Sequence, residues 1–432
     1  MQFFGNPDFG SYGWSRASLE GERVGTADRY GKFCQGALRT VTVHEFEHLR
    51  PHLAPWDRLA WDAPQQIPTL LPAWADANFW HGLNPNERWM CSFAYAGQRL
   101  VGVLPVIVSS HSILGVRRPL LRTSTRHSPS GDILLAADHA AEALRALLAE
   151  VARHVPDHVG LEARAVRRNS PVWAALKGGM DGYVVHKDAP ARLSFLDVTG
   201  GFDAYMKNLG KMRRNLRIGR KRLGSRGTIT VELRKGPDAG ADFMPDFLAL
   251  EASGWKGRNG TAMLNDPASA RFNTALVENF AAKRRLEWHL IRVDGRLVAA
   301  GIGLRCGSSL MLPKYAFDED FAECMPGSLL TEEILREAFS RPEIREINHM
   351  SYSDSDRLWH MPQDEYVTLH LVRRSALAML VHLPGLVARS TYGLYVRPRI
   401  PAFVRRVQRQ FQRRGGRRPP RIRTGGSSAM PD

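Results

Sequence analysis

The sequence predicts an α/β (α+β) protein of two tandem units, each a mixed β-sheet flanked by helices. Two observations carry this prediction. Two hairpins share one apolar–Gly–polar–apolar pattern: Tyr95-Ala96-Gly97-Gln98-Arg99-Leu100-Val101 matches Val293-Asp294-Gly295-Arg296-Leu297-Val298. Each hairpin follows two helical stretches and precedes a strand and a long helix, so the element order repeats with a period of about 180–200 residues. The domain reading is a leader at 1–38, a first unit at 39–190, a second at 191–373 and an Arg-rich tail at 374–432.

In chain order, residues 1–38 are rich in Gly and aromatics without periodicity and read as a poorly ordered leader. Residues 39–43 form a strand, 46–59 a loop with a short helix around Trp56, and 67–83 a helix. The first hairpin spans 89–108; strands follow at 116–122, 159–163 and 182–186, with helices at 136–154 and 170–177. In the second unit, 192–198 and 228–234 are strands and 202–223 is one basic helical stretch. Helices at 242–253 and 268–284 precede the second hairpin, 286–304, and strands at 344–350 and 366–373 close the unit.

Charge is unevenly distributed. The net charge is +17, but residues 373–432 hold 14 Arg, no Lys and one acid, a charge of +13, which leaves +4 for the rest. A near-neutral body does not look like a general nucleic-acid binder. Four cysteines without CxxC spacing suit a reducing compartment and offer neither a disulfide framework nor a zinc cage. No run reaches the ~18 apolar residues that span a bilayer, and no apolar signal-peptide core stands near residue 1. His44-Glu45-Phe46-Glu47-His48 spells H-E-x-x-H, but a β-branched strand precedes it and Pro51 follows, so the two His are not expected on one helical face.

The stretch 310–339 organises the second unit: an apolar strand ending in Lys314-Tyr315, a polar turn, and a helix opened by Pro326-Gly327-Ser328. Leu329, Leu330, Ile334, Leu335 and Ala338 give that helix one apolar stripe. A Gly and Ser in its first turn leave backbone N–H groups that suit a phosphate, although an ordinary helix start reads the same way. Lys207, Lys211, Arg213, Arg214, Arg217, Arg220, Lys221 and Arg222 form an acid-free basic run, read as either an anion-binding face or a solvated one. In the tail, Tyr392, Tyr395, Phe403 and Phe411 lie among Arg, a pattern that fits an anionic membrane surface or a disordered basic tail.

Several phrases together resemble the GNAT superfamily, in particular the duplicated CelD/BioF2-like (FemAB-related) acetyltransferases. They are residues 248–257 with Gly260-Thr261-Ala262, residues 209–223 after Phe202-Asp203-Ala204-Tyr205, and residues 315–330, joined by Pro72-Ala73-Trp74 and residues 100–105 in the first unit. The resemblance covers residues 40–372. It implies an acyl-CoA-dependent N- or O-acyltransferase with acetyl-CoA or another acyl-CoA as co-substrate and no metal. The acceptor would be an amine or hydroxyl, with a saccharide in cellulose or exopolysaccharide biosynthesis as one option. The protein would be cytoplasmic, with peripheral membrane placement through the tail as a further option. A Fem-like aminoacyl-tRNA-dependent transferase and a non-catalytic membrane-associated binding protein are the alternatives; no other nucleic-acid partner is expected.

On this resemblance, Pro326, Gly327, Ser328 and Leu329 occupy the pyrophosphate loop, with Lys314 as a phosphate partner. The Arg/Gln-x-x-Gly-x-Gly/Ala signature is reduced to Pro326-Gly327. Glu251 is the candidate general base, Tyr315 the candidate proton donor to the leaving sulfur, and Trp255, Lys256 and Asp354 the candidate acceptor-binding residues. Where relatives carry Gly-Asp-x-x-Tyr-Lys, this chain has Ser353-Asp354-Ser355-Asp356-Arg357 and lacks the Tyr-Lys pair.

Overall fold

Both hairpin turns form where glycine allows a positive φ. Gly97 sits at 60°, and the Asp294-Gly295 pair at 47° and 81°, the turn that matches strand twist. In the computed structural model, residues 38–396 and 399 are described, apart from 114 and 352. The sequence-predicted leader up to residue 37 and the tail from residue 400 therefore lie outside the described residues.

The first half runs β1 (Arg39–Val43), α1 (Arg50–Asp62), α2 (Pro72–His81), the hairpin β2 (Arg88–Ala96) and β3 (Arg99–Ile113), then β4 (Val116–Arg122). It continues with β5 (Leu134–Leu135), α3 (Ala140–His154), β6 (Gly160–Arg167), α4 (Val172–Leu176) and β7 (Tyr183–Lys187). The second half starts with β8 (Ala191–Asp197), α5 (Phe202–Lys207), α6 (Gly210–Gly224) and β9 (Ile229–Lys235). Helices α7 (Met244–Ser253), α8 (Trp255–Arg258) and α9 (Pro267–Ala282) lead to the hairpin β10 (Leu286–Val293) and β11 (Arg296–Cys306). Then come β12 (Ser309–Phe317), α10 (Pro326–Phe339), β13 (Glu346–Asn348), α11 (Asp354–Leu358), β14 (Gln363–Arg373) and α12 (Leu383–Thr391).

Among the described residues, fourteen strands join one sheet in the order β1-β2-β3-β4-β6-β14-β8-β13-β12-β11-β10-β9, with β5 added to β3 and β7 to β14. Read inward from either edge, the two halves match. Three antiparallel pairs end in one parallel pair, β4 with β6 in the first half and β12 with β13 in the second. A parallel pair needs a crossover, and α3 and α10 supply it. The duplicated order expected from the hairpins is thus visible in the strand pairing.

The halves are fastened by packing and by charge. One hydrophobic core draws Trp56, Trp74 and Phe93 from the first half and Phe247, Phe272 and Trp288 from the second. Helix α2 lies on α9, where the Asn279 amide donates to Asp76 at 2.6 Å and to the Ala73 carbonyl at 3.0 Å. Arg285 grips Asp57 with two bonds of 2.7 Å. At mid-sheet, Arg167 on β6 donates to Glu346 on β13, to Asp364 on β14 at 2.9 Å and to the Gln65 carbonyl at 3.0 Å. Burial alone would lower the Arg167 pKa, but the Glu346 and Asp364 carboxylates raise it and keep the buried guanidinium charged.

Several elements differ from the sequence reading. The basic stretch expected at 202–223 is two helices, because the chain breaks at Asn208-Leu209, so Lys207 does not share the α6 face. The short helix expected around Trp56 spans Arg50–Asp62, with Pro51 in its first turn, where a missing N–H costs nothing. The helix expected from residue 67 begins at Pro72 for the same reason. Strand β14, read as the last strand of the second unit, pairs with β6 and β7 as well as β8.

Part of the tail also packs as helix rather than running free. Ala378 and Leu386 bury against Val159 and Val372. Pro384 falls at the start of α12, after a π-helical turn at Ala378–His382. A histidine cluster lies beneath: the His111 and His382 rings are 5.4 Å apart, and His370 bonds Asp188 at 3.1 Å. Asp188 in turn accepts from Ser390 on α12 at 2.7 Å.

Two outcomes are expected. Arg167→Ala strands Glu346 and Asp364 and should lower unfolding free energy by about 3 kcal/mol, read as a shifted urea midpoint at unchanged slope; an unchanged midpoint would refute the central role of this cation. Burial, reinforced by His111, His370 and Arg389, lowers the His382 pKa to about 4. A lowered folded-state value means that docking of α12 is fully favoured above the ordinary 6.5 and weakens as pH falls toward about 4. Hydrogen exchange across 378–391 should quicken over that window, and His382→Gln should flatten the change.

Candidate functional site

The site grows from the C-terminal half of β12. On one side β12 pairs with β11 along its length; on the other it meets β13 only through Ser309, Leu310 and Met311. From Leu312 onward that second side is open. β13 ends because Met350 takes a φ of 48° and turns the chain away toward α11. A register shift in β11–β12 opposite Pro313 re-aims the freed half of the strand.

Three elements surround this opening. α11 crosses it, held by a capping box in which Ser353 and Asp356 exchange side-chain and backbone bonds. Ser355 and Asp356 of α11 lie close to the Tyr315 phenol. α10 begins beside the strand end: a Cβ on Gly327 would stand 3.2 Å from the Phe317 ring, so glycine permits that approach. α7 and α8 form the third wall. Between them and β12 lies a cleft of about 270 Å³ lined by Glu251, Trp255, Lys256, Lys314, Tyr315 and Phe317.

All ten residues singled out in the sequence gather at this end of β12, in different settings. Glu251 is 3% exposed and spoken for: Lys256 Nζ donates to one oxygen at 2.8 Å and the Met263 N–H to the other at 2.8 Å. Trp255 is 49% exposed at the cleft rim. Lys314 makes no ion pair among the described residues, and burial pulls its pKa below the usual lysine range. Burial raises the Tyr315 pKa, and the Asp356 charge adds to the rise. Pro326 and Leu329 are buried as part of the core, Gly327 and Ser328 lie at the partly exposed helix start, and Asp354 begins α11. The Ser328 and Leu329 N–H groups both donate to the Met325 carbonyl at 3.0 Å.

Two contributors are absent from the sequence reading. The loop after β4 brings Arg126 and His127 across from the first half; Arg126 pairs with Asp266 at 3.2 Å, and His127 stacks on Phe272. The polar run 123–132 between apolar strands was the available signal. The second is His349, directly after β13, whose Nδ1 lies 2.6 Å from the Asp356 carboxylate. A single His at the end of a strand has no pattern that marks it.

A family model described as an acetyltransferase (GNAT) domain matches residues 210–353, the segment from α6 to the start of α11. Those residues are a GNAT acetyltransferase domain. Over that segment the chain is similar to GNAT acetyltransferases. Its fold is that of FemX: the crystal structure of that protein superposes with a TM-score of 0.54 at 10% identity, covering 77% of this chain and 97% of the other. A conserved protein from Bacteroides thetaiotaomicron VPI-5482 gives 0.46 at 12% identity (77% and 99% covered), and a tandem GNAT protein from the clavulanic acid biosynthesis pathway 0.41 at 14% (78% and 99%). Curated protein sequences give no match.

The GNAT domain's cleft depends on the Glu251–Lys256 pair. Lys256→Met leaves a buried carboxylate with one partner and should cost about 2 kcal/mol of stability. Thermal unfolding checks this, and an unchanged Tm would show that the pair is not structural.

Proposed function

We propose that the protein transfers an acyl group from an acyl-CoA to an amine or hydroxyl of an acceptor held at the open end of β12. The observation that carries this reading is the parting of β12 from β13 beside the start of α10. An opening between two strands admits an extended thioester arm. Its free strand edge offers backbone N–H groups to the arm and to a developing oxyanion. Lys314, Gly327 and Ser328 are the proposed contacts of the donor's phosphates, although α10 presents fewer free N–H groups than a full glycine-rich loop. Trp255 supplies a flat apolar face at the rim, which supports a saccharide or similar acceptor. Tyr315 is the proposed proton donor to the departing thiolate.

A second reading, an aminoacyl-tRNA donor, rests on α6. Its Met212, Leu216, Gly219 and Leu223 are buried, while Lys211, Arg213, Arg214, Arg217 and Lys221 are exposed and make no ion pair among the described residues. All of these but Lys211 border a groove of about 770 Å³ against α10. Peripheral membrane placement finds support in the exposed Leu380, Val387, Tyr392 and Tyr395 beside the Arg-rich tail. Among the described residues, no helix is long and apolar enough to cross a membrane.

The test is ligand-induced stabilisation. Millimolar CoA and acetyl-CoA should raise Tm by several degrees, since ligand at 100 times Kd adds about 2.7 kcal/mol. A null shift with CoA together with salt-sensitive tRNA binding would replace the first reading by the second.

A further inference from the structure

We infer that His349, oriented by Asp356, is the group that takes the acceptor's proton; this rests on the acyltransferase reading above. The side chain is 9% exposed, and its backbone N–H is pinned to the Ser194 carbonyl of β8 at 3.1 Å. Nδ1 faces an Asp356 oxygen at 2.6 Å. The other Asp356 oxygen accepts from the Ser353 N–H at 2.7 Å and its hydroxyl at 3.0 Å, so the carboxylate is fixed by the fold of α11. Burial would push the Asp356 pKa up, but the His349 hydrogen bond and charge and the Ser353 bonds bring it below the usual value. An ionised carboxylate only accepts, so the proton of a neutral His349 sits on Nδ1 and the lone pair on Nε2.

That Nε2 is buried and has no partner among the described residues. An unmet buried ring nitrogen costs about 1–3 kcal/mol, a cost that a bound acceptor's N–H or O–H removes. The position is suited to this. His349 follows β13 at the point where β12 departs, and Tyr315 stands on the opposite strand. Helix α11 lies near both sides: Asp356 bonds His349, and its charge, with Ser355 beside it, acts on Tyr315. Among the described residues, Asp356 of α11 and its cap Ser353 bond within the dyad, Ser194 of β8 holds the His349 backbone, and Tyr315 of β12 lies within reach of the Asp356 charge. Of the other candidate bases, Glu251 has both oxygens engaged.

The step balances without a co-reactant. Nε2 accepts the proton as the acceptor's nitrogen or oxygen attacks the thioester carbonyl. The carbon–sulfur bond breaks as the tetrahedral intermediate collapses. The proton then passes to the thiolate, giving acylated acceptor and free CoA thiol.

The experiment measures thiol release from acetyl-CoA by the full chain, with hydroxylamine as a small nucleophile, across pH. His349→Gln should lower kcat 100-fold or more and remove the acid limb of the profile, while the CoA-induced Tm shift stays. Asp356→Asn, which keeps the shape, should lower kcat at unchanged KM for acetyl-CoA and serves if the first variant does not fold. Retained rate and acid limb in either folded variant, with CoA still stabilising it, overturns the assignment. Absence of both thiol release and a CoA shift in the unaltered chain overturns the acyltransferase reading, and this assignment with it.

Discussion

One buried cation sets how the two halves meet. Arg167 reaches from β6 to carboxylates on β13 and β14, segments about 180–200 residues further along the chain. Each oxygen it engages fixes a register as well as an energy, because a one-residue slip would turn Glu346 or Asp364 to the opposite face. Asn348 extends the network, donating to Glu346 at 3.2 Å and to the Tyr366 hydroxyl at 3.0 Å. Desolvating these charges offsets much of their attraction, so their chief contribution is specificity of pairing.

The site follows from that pairing. β13 is held in place by Glu346 and Asn348, and the next residue is His349. The anchor that locks the strand therefore also fixes the point where it parts from β12. The candidate site sits at the boundary between a rigidly paired segment and an unpaired one, where preorganisation and access coexist. The first half contributes from across the junction, as the Arg126–Asp266 and His127–Phe272 contacts show.

Local patterns made the hairpins, α3 and α10 legible, because turn residues and apolar periodicity are properties of short windows. The residues chosen from the resemblance lie on segments that border the end of β12. Its limits are equally physical. Lys256 five residues after Glu251 reads as a helix-end charge, and only the fold shows it closing on that carboxylate together with the Met263 N–H. The insertion of β14 beside β6 is a long-range choice with no local signature. The break at Asn208-Leu209 was hidden because basic residues continue across it. His349 was invisible, since its meaning comes from Asp356 and from what its far nitrogen lacks.

The placement of β14 has a consequence for synthesis on the ribosome. β6 and β7 both take their neighbour from residues 363–373. While the chain emerges, the first half holds its hairpin and helices but presents an unfilled gap in the sheet. That open edge persists until more than 170 further residues have been made, as the span from β7 to β14 requires. Such an edge invites strand exchange with another nascent copy. Slowing translation after β7 should therefore favour intertwined dimers, and a chaperone that shields sheet edges should suppress them.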